Sequence, residues 1–211
     1  MSAEILVVLA SASPRRAQLL SQIGVPHRVL PADIDERRAA GEDAQQCVLR
    51  LARQKAMQVR ATLQEQAALQ EQAAPQRWSS TPLPVLGADT VVVVDGELLG
   101  KPRDRADALA MLARLSGRTH LVLTAVVLAS KHGLRSALSR SEVSFRRLSP
   151  EECAAYWDSG EPRDKAGAYA IQGRGAVFVE QLRGSFSGVM GLPLHETALL
   201  LADAGVPVWV R

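Results

Sequence analysis

The stretch VLGADTVVVVDGELLG, residues 85–100, limits the possible folds more than any other part of the chain. Two runs rich in β-forming residues flank Asp95-Gly96, a dipeptide that favours a type I′ turn between antiparallel strands. A shorter apolar run, ILVVLA at residues 5–10, is typical of a buried strand. The sequence therefore predicts a sheet that contains these runs, with a hairpin turn at residues 95–96.

Helical patterns alternate with further strand-like runs. Ser13 and Pro14 favour a helix start, and Asp104 and the capping box at residues 149–152 favour two more. The predicted helices are 14–23, 44–63, 104–117, one from about 150, and 194–204. The segment VPHRVLPADIDE, residues 25–36, predicts a short strand that runs into a polar loop, and the other β-rich runs are 119–130, 136–148, 169–172 and 176–182. Interleaved helices and strands with hairpins predict an α/β or α+β fold with a mixed, twisted sheet and flanking helices.

The chain has 211 residues, which suits a single domain over residues 1–211. One segment stands apart, an imperfect duplication of LQEQAA followed by a stretch rich in proline and serine. We interpret residues 63–82 as a low-complexity insertion, formed by a helix extension and a surface loop without chemistry.

Composition excludes several classes of protein. The two cysteines are not in a CxxC motif and the four histidines are far apart, so a structural zinc site or a disulfide framework is not predicted. No segment reads as a signal peptide or a membrane span, so we expect a cytoplasmic protein. Aromatic residues, on which nucleic-acid bases stack, make up only 4% of the chain, and the sequence has no stripe of basic residues. Nucleic-acid binding is therefore not predicted. The net charge of +3 fits either an unspecialised basic surface or steering of an anionic ligand.

Arg15 and Arg16 lie where the first helix should begin, at an end that favours acidic side chains. A strand, a loop of small residues and a helix N-terminus form an anion site from the backbone alone. Two arginines there could add bidentate hydrogen bonds to phosphate oxygens. The alternative is that both are solvated or pair with nearby acids such as Asp33, Asp35 or Glu36.

Asp89 is a carboxylate inside an apolar run, and such a group needs a partner, a metal or a chemical use. Lys101 is its expected neighbour, although strict pleating requires a bulge at Gly100 to bring them together. Glu36 ends an acidic loop, and Lys55 interrupts the apolar face of a helix. Taken alone, a surface position is the expectation for both.

Several ordered motifs together resemble the Maf-like nucleoside triphosphate pyrophosphatases. They are LASASPRRAQLL, ADIDE, ARQKA, GADTVVVVDGELLGKP and YWDSGEPRDKAGAYAIQG…GSFSGVMGLPLHET. The resemblance implies two lobes around a nucleotide-binding cleft, and hydrolysis of a nucleoside triphosphate to the monophosphate and pyrophosphate. It also implies a divalent cation, Mg²⁺ or Mn²⁺, and a homodimer. The segment DKAGAYAIQG is similar to the dTTP/UTP branch rather than the branch that acts on 7-methyl-GTP.

The resemblance also implies roles for individual residues. Ser11, Arg15 and Arg16 would bind the triphosphate, with Arg15 also influencing specificity. Lys55 and Lys101 would hold phosphates.

The remaining implied roles concern the metal, the base catalyst and the nucleobase. Glu36 and Asp89 would lie near the metal, with Asp89 as proton acceptor. Thr90 and Gln172 would help to select the base. The sequence thus favours an enzyme that removes pyrimidine triphosphates, canonical or modified. A nucleotide-binding regulator of cell division without significant turnover is the alternative.

Overall fold

A computed structural model of the protein describes residues 4–73 and 82–210. The helices are α1 (Pro14–Gln22), α2 (Ala44–Ala73), α3 (Arg105–Leu115), α4 (Pro150–Asp158), α5 (Phe186–Met190) and α6 (Leu194–Asp203). The strands are β1 (Val7–Ala10), β2 (His27–Val29), β3 (Val85–Val94), β4 (Glu97–Leu99), β5 (Thr119–Ser130), β6 (Gly133–Phe145) and β7 (Val179–Arg183). None of these helices is both long and apolar enough to cross a membrane.

The strands form one mixed sheet in the order β2-β1-β3-β5-β6-β7, with β4 paired to β3. β1 runs parallel to β2 and β3, whereas the β3–β5, β5–β6 and β6–β7 pairs are antiparallel. The hairpin predicted at residues 95–96 is confirmed, because Asp95 and Gly96 both have positive φ and Val94 pairs with Glu97. The predicted class, a mixed α/β sheet with flanking helices, is therefore confirmed.

Three hydrophobic clusters define two lobes that share the long strands β3, β5 and β6. In the first lobe α2 packs on one face of the sheet, through Ala52 and Ala56, and α1 and α6 pack on the other, through Leu20 and Leu201. The second lobe packs α3 and α4 against the far ends of these strands around Phe145. The lobes meet near the middle of β3.

Two local expectations were wrong. Residues 169–172 and 176–178 do not form strands: 169–170 are irregular, 171–172 form a turn, and a 3-10 helix occupies Arg174–Phe178. The physical reason is competing hydrogen bonds. The Ala170 N–H donates to the Tyr156 hydroxyl, the Ala170 carbonyl accepts the Gly173 N–H, and the Ala176 N–H donates to the Gly173 carbonyl, so these groups are not available to a neighbouring strand. Residues 186–190, for which the sequence predicted neither a helix nor a strand, form the short helix α5. Helix α2 continues through the first LQEQAA copy and most of the second, to Ala73. Residues 74–81 of the predicted insertion lie outside the described residues.

His120 lies in the core of the second lobe and is only 2% exposed. Its Nε2 is 2.9 Å from the Tyr169 hydroxyl, and Nδ1 has no hydrogen-bond partner among the described residues. Burial lowers the pKa of His120 to about 4. The unfolded chain, with an ordinary histidine pKa near 6.5, therefore binds more protons than the folded protein between these two values.

We expect the free energy of unfolding to decline as the pH falls below about 6.5. The loss reaches about 2 kcal/mol at pH 5, because protonation favours the unfolded chain. Urea denaturation at pH 7 and pH 5 measures this difference. His120→Asn should reduce it, whereas His132→Asn, at an exposed histidine in the β5–β6 turn, should not. Equal pH dependence in all three proteins would contradict the assignment to His120.

Candidate functional site

The candidate site lies at a gap along one edge of β3. β1 pairs with β3 as far as Gly87, and β4 pairs with it from Val92 onward. Both strands lie on the edge opposite β5, which pairs with residues 85–93. Within the described ranges no strand covers positions 88–91 on this edge, and we call this interval the β3 gap. Asp89 and Thr90 lie in it, with side chains on opposite faces of the strand.

A cleft of about 870 Å³ opens at the β3 gap and has walls from both lobes. The structure brings every residue that the sequence singled out for the site to this one cleft. These residues are Ser11, Arg15, Arg16, Glu36, Lys55, Asp89, Thr90, Lys101 and Gln172.

The floor of the cleft contains an ionic cluster of Glu36, Lys55 and Asp89, which we call the carboxylate–lysine cluster. Lys55 Nζ lies 2.7 Å from Asp89 Oδ1 and 2.6 Å from Glu36 Oε1. Lys55 and Asp89 are 7% and 8% exposed, so both charges are largely removed from water. Burying these two charges is tolerated because the Lys55 ammonium and the Asp89 carboxylate are each paired with a group of opposite charge.

Gly87 allows this cluster to form. A Cβ atom at position 87 would lie 2.3 Å from the Ala52 carbonyl oxygen and 2.8 Å from the Ala56 nitrogen. Only a residue without a side chain lets α2 approach β3 this closely. Lys55 is on the adjoining turn of α2, so the close packing brings its ammonium to Asp89, two residues after Gly87.

These contacts correct two expectations about the charged residues. Asp89 pairs with Lys55 and not with Lys101, because β4 ends at Leu99 and Lys101 leaves the sheet. The Lys101 side chain is 63% exposed, and its Nζ is 3.7 Å from Glu36 Oε2. Lys55, expected at the surface, is buried because α2 packs its lysine-bearing face on the sheet.

The loop that carries Glu36 is held by a second ion pair. Arg50 on α2 donates from Nε to Glu42 Oε1 at 2.6 Å and from Nη2 to Glu42 Oε2 at 2.7 Å. The same Nη2 donates to the carbonyl oxygen of Arg37, the residue after Glu36, at 3.1 Å. Burial opposes ionisation of Glu36, but the neighbouring Lys55 ammonium outweighs it and lowers the pKa of that carboxyl. Glu36 is therefore presented to the cleft as a carboxylate.

Arg16, Ser11 and Arg15 form the wall at the end of β1. Arg16 donates from Nε to the Gly191 carbonyl at 2.8 Å, from Nη1 to Ser11 Oγ at 3.1 Å and from Nη2 to Thr90 Oγ1 at 3.3 Å. Burial lowers the pKa of the Arg16 guanidinium from its ordinary value. Arg15 instead reaches across the cleft, and its Nη1 lies 3.5 Å from Asp164 Oδ2 in the second lobe. Arg15 thus pairs with an acid, Asp164, although among the described residues neither arginine forms an ion pair with Asp33, Asp35 or Glu36.

The opposite wall is the segment at residues 161–175, where sequence reasoning identified only Gln172. Glu161 holds this segment: its carboxylate accepts the Tyr156 hydroxyl at 2.7 Å as well as the backbone N–H groups of Arg174 and Gly175. Asp164 and Lys165, which pair with each other, also line the cleft. The motif DKAG at residues 164–167 could have identified both, because it places an acid and a lysine next to each other just before a glycine.

This arrangement suits a phosphorylated anion. One cleft brings together six cationic side chains and four carboxylates. The cations are Arg15, Arg16, Arg38, Lys55, Lys101 and Lys165, and the carboxylates are Glu36, Asp89, Glu97 and Asp164. Cations hold phosphate oxygens, and an ionised carboxylate can accept a proton from water. The second-lobe wall at residues 161–175, which includes Gln172, lines the same cleft and can contact the part of a ligand that carries no phosphate.

A family model described as Maf-like protein matches residues 6–204. Three similar proteins are each named dTTP/UTP pyrophosphatase. The protein from Methylobacillus flagellatus is 50% identical over 96% of this chain and 94% of its own length. The protein from Saccharophagus degradans is 50% identical over 95% of this chain and 90% of its own length. The protein from Myxococcus xanthus is 51% identical over 96% and 94%.

One solved structure, that of the Staphylococcus aureus Ham1 protein, aligns with 66% of this chain and 71% of its own. The identity is 13% and the TM-score is 0.38.

Proposed function

Because this chain belongs to the Maf-like protein family, we propose that it is a pyrophosphatase that hydrolyses dTTP and UTP to the monophosphate and pyrophosphate. Modified pyrimidine triphosphates are further candidate substrates. The observation that carries the proposal is the near full-length identity of about 50% to several proteins of that name. The cleft supports it independently, because it combines six cationic side chains with an ion-paired carboxylate.

In this proposal the triphosphate lies along the cations of the cleft. Ser11, Arg15 and Arg16 contact phosphate oxygens from the end of β1 and the start of α1, where the helix N-terminus adds free N–H groups. Lys55 and Lys101 contact it from the other side of the β3 gap. Phosphates carry no base identity, so these contacts serve every nucleoside triphosphate alike.

A divalent cation, Mg²⁺ or Mn²⁺, is part of the proposal, and the donor chemistry of the cleft fits it. Glu36 and Asp89 supply the carboxylate oxygens that such hard cations prefer. Within residues 4–73 and 82–210, no group of three His, Cys, Asp or Glu side chains could hold a metal alone. The fit is therefore the usual one for Mg²⁺, with one or two carboxylates and the remaining ligands from phosphate and water. When bound, the cation would supply neutralisation of phosphate charge.

Asp89 is the proposed proton acceptor. A water molecule adds to phosphorus at the α–β bridge, its proton passes to the Asp89 carboxylate, and the phosphoanhydride bond breaks. Lys55 holds the Asp89 carboxylate in place before the reaction, since the ammonium lies 2.7 Å from one carboxylate oxygen. Charge on the leaving pyrophosphate is met by the surrounding cations.

Release of pyrophosphate by the purified protein tests this function directly. The alternative, a nucleotide-binding regulator of cell division, predicts binding of dTTP or UTP without turnover. A pure binding protein has no need of a proton acceptor beside the phosphate cations, and the names of the relatives also favour the enzyme.

Base selection is assigned in this proposal to Gln172 and Thr90. Gln172 is exposed on the second-lobe wall, between Ile171 and Gly173, where its amide can reach a ligand. An amide offers a donor and an acceptor, and uracil and thymine both present an N3–H donor between two carbonyl acceptors. Cytosine reverses much of that pattern.

We expect Gln172→Ala to narrow the preference for dTTP and UTP over CTP and 7-methyl-GTP. A mispaired polar group costs about 5- to 150-fold in selectivity, and the loss should fall chiefly on dTTP and UTP. Steady-state pyrophosphate release gives kcat/KM for the four substrates. Gln181→Ala, at an exposed glutamine on β7 away from the cleft, is the matched control. An unchanged profile in Gln172→Ala would remove Gln172 from base selection, and a wild-type preference for 7-methyl-GTP would overturn the branch.

The proposal also includes a single domain over residues 1–211, a homodimer, and a cytoplasmic protein that does not act on nucleic acid or membranes. The resemblance to the family supports the dimer. Light scattering after gel filtration measures it, with a mass twice the 22.7 kDa of one chain expected.

A further inference from the structure

The loop that carries Glu36 gains little support from its own backbone. It begins after Leu30, whose N–H still bonds to β1, and the next backbone–backbone hydrogen bond joins the Glu42 N–H to the Ala39 carbonyl. Over residues 31–38, no backbone group bonds to another backbone group of the described chain. A segment of this kind keeps one conformation only where side chains hold it. The position of Glu36 therefore depends on side-chain contacts.

Gln58 on α2 holds the beginning of this loop. Its Oε1 accepts the Asp33 N–H at 2.8 Å, and its Nε2 donates to the Asp33 carbonyl at 2.7 Å. One amide thus satisfies both backbone groups of one residue, which requires a donor and an acceptor side by side. The described residues that line the cleft do not include Gln58. Any effect of Gln58 on the site must therefore pass through the loop.

Helix α2 contacts the loop at two further points. Gln58 lies three residues after Lys55, so the two side chains are neighbours on one face of the helix. Lys55 holds the Glu36 carboxylate, with 2.6 Å between Nζ and Oε1. Arg50, nearer the start of the helix, donates from Nη2 to the Arg37 carbonyl at 3.1 Å. The loop thus lies along α2, with Glu36 between two backbone anchors.

The Lys55 contact alone does not fix Glu36. The Glu36 side chain is 47% exposed, so water competes with the ammonium for its carboxylate. The Asp89 side chain, in contrast, is 11% exposed and lies on a central strand. A cation that bridges a fixed and a mobile carboxylate must order the mobile one, which weakens binding. Anchors that hold the loop beforehand remove this cost.

We propose that Gln58 is a positioning residue that holds Glu36 beside Asp89, so that the two carboxylates can bind one divalent cation. The proposal rests on the metal-dependent pyrophosphatase function proposed above, and it names a residue outside the cleft that sets the affinity for the cation.

Gln58→Ala tests this, because it removes the amide and leaves α2 intact. Alanine is the better helix former, so the helix itself gains from the change. Gln64→Ala makes the same change at an exposed glutamine six residues further along α2 and is the matched control. Any difference between the two variants therefore reports the contact with Asp33 and not the helix propensity.

We expect nucleotide-free Gln58→Ala to bind Mn²⁺ about 3- to 10-fold more weakly than the wild-type protein, the range for hydrogen bonds lost at a partly exposed position. The EPR signal of free Mn²⁺ during a titration gives the dissociation constant, and Gln64→Ala should match the wild type. Hydrogen exchange measured by mass spectrometry should be faster at residues 31–38 in Gln58→Ala alone. With substrate, the Mg²⁺ concentration for half-maximal pyrophosphate release should rise by the same factor, while kcat at saturating Mg²⁺ stays near the wild-type value.

A merely structural role predicts a different result, in which Gln58→Ala unfolds at a lower urea concentration but the folded protein keeps its affinity for Mn²⁺. Equal dissociation constants in the wild-type protein and Gln58→Ala, or the same change in Gln64→Ala, would overturn the proposal, as would a wild-type protein that binds no Mn²⁺. If Gln58→Ala does not fold, Gln58→Met, which keeps the length of the side chain, should show the same loss of affinity. Absence of pyrophosphate release with the difference in Mn²⁺ binding intact would contradict the proposed function alone.

Discussion

Asp89→Asn is expected to lower kcat for UTP and dTTP by about 10²–10⁴-fold, the usual contribution of a positioned general base. Asparagine has almost the same shape and still offers an oxygen to the Lys55 ammonium, so the contact that is 2.7 Å in the wild-type protein can persist. It cannot accept a proton from water at neutral pH. The loss should therefore lie in kcat, with little change in KM, because phosphate binding depends on the cations.

A matched control is available in the turn that follows the same strand. Asp95 is the first residue after β3, far from the gap, and its φ of 53° is a conformation that asparagine tolerates. Asp95→Asn removes an exposed ion pair with Arg118, which contributes little to stability. We expect its kcat to match that of the wild-type protein. Near-full activity in a folded Asp89→Asn protein would show that another group accepts the proton.

Short sequence motifs correctly predicted the turn and the helix starts that are determined by residues close together in the chain. The Asp95-Gly96 turn requires positive φ at both residues, and this pair adopts it at low cost. Asp104 caps α3 by accepting from the N–H of Asp107, and the capping box of Ser149 and Glu152 starts α4. Each of these interactions spans three residues or fewer, so a short window of sequence contains everything that determines it.

The pairing of Lys55 with Asp89 could not be predicted in the same way. The two residues are 34 positions apart and meet only because Gly87 lets α2 pack closely on β3. Within its own helix Lys55 is a cation on an apolar face, for which a solvent-exposed position is the ordinary outcome. Extending the β3–β4 hairpin register placed Lys101 beside Asp89. In the structure β4 ends at Leu99, so the pairing does not extend to Lys101. The site thus depends on packing between elements, which periodicity alone does not describe.

The β3 gap explains why these charges can meet at the middle of a sheet. A central strand ordinarily has partners on both edges, which would leave no space for a ligand beside Asp89. Here β1 and β4 share one edge and stop short of each other, so the backbone at residues 88–91 is open to the cleft. The loop and helix N-terminus after β1 then lie directly beside the exposed stretch, and they bring Ser11, Arg15 and Arg16 to it.

Lys55→Met is expected to lower kcat/KM about 10²–10³-fold for every triphosphate tested. Methionine fills a similar volume on the apolar face of α2, but it removes the charge that Glu36 and Asp89 share. The two carboxylates then repel each other and the incoming phosphates, while one cation that holds phosphate oxygens is lost. Since phosphates are common to all substrates, the loss should be similar for UTP, dTTP and CTP. Steady-state pyrophosphate release with the three substrates measures it.

Lys101→Met is the control that separates this burial-dependent effect from simple loss of one positive charge. Lys101 contributes the same charge to the cleft, but its side chain is 63% exposed and its Nζ is 3.7 Å from Glu36. Water screens such a contact, so Lys101→Met should lose less activity and almost no stability. Lys55→Met, in contrast, leaves Asp89 buried without its partner, so its free energy of unfolding in urea should be lower by up to about 3 kcal/mol.

Adding Mg²⁺ without nucleotide should restore part of that stability. A cation that binds only the folded protein stabilises the folded state, and Glu36 and Asp89 supply carboxylate ligands for the cation. Equal losses of activity and stability in the two variants, or a loss in Lys55→Met confined to one base, would mean that Lys55 is not the shared counter-charge of the site.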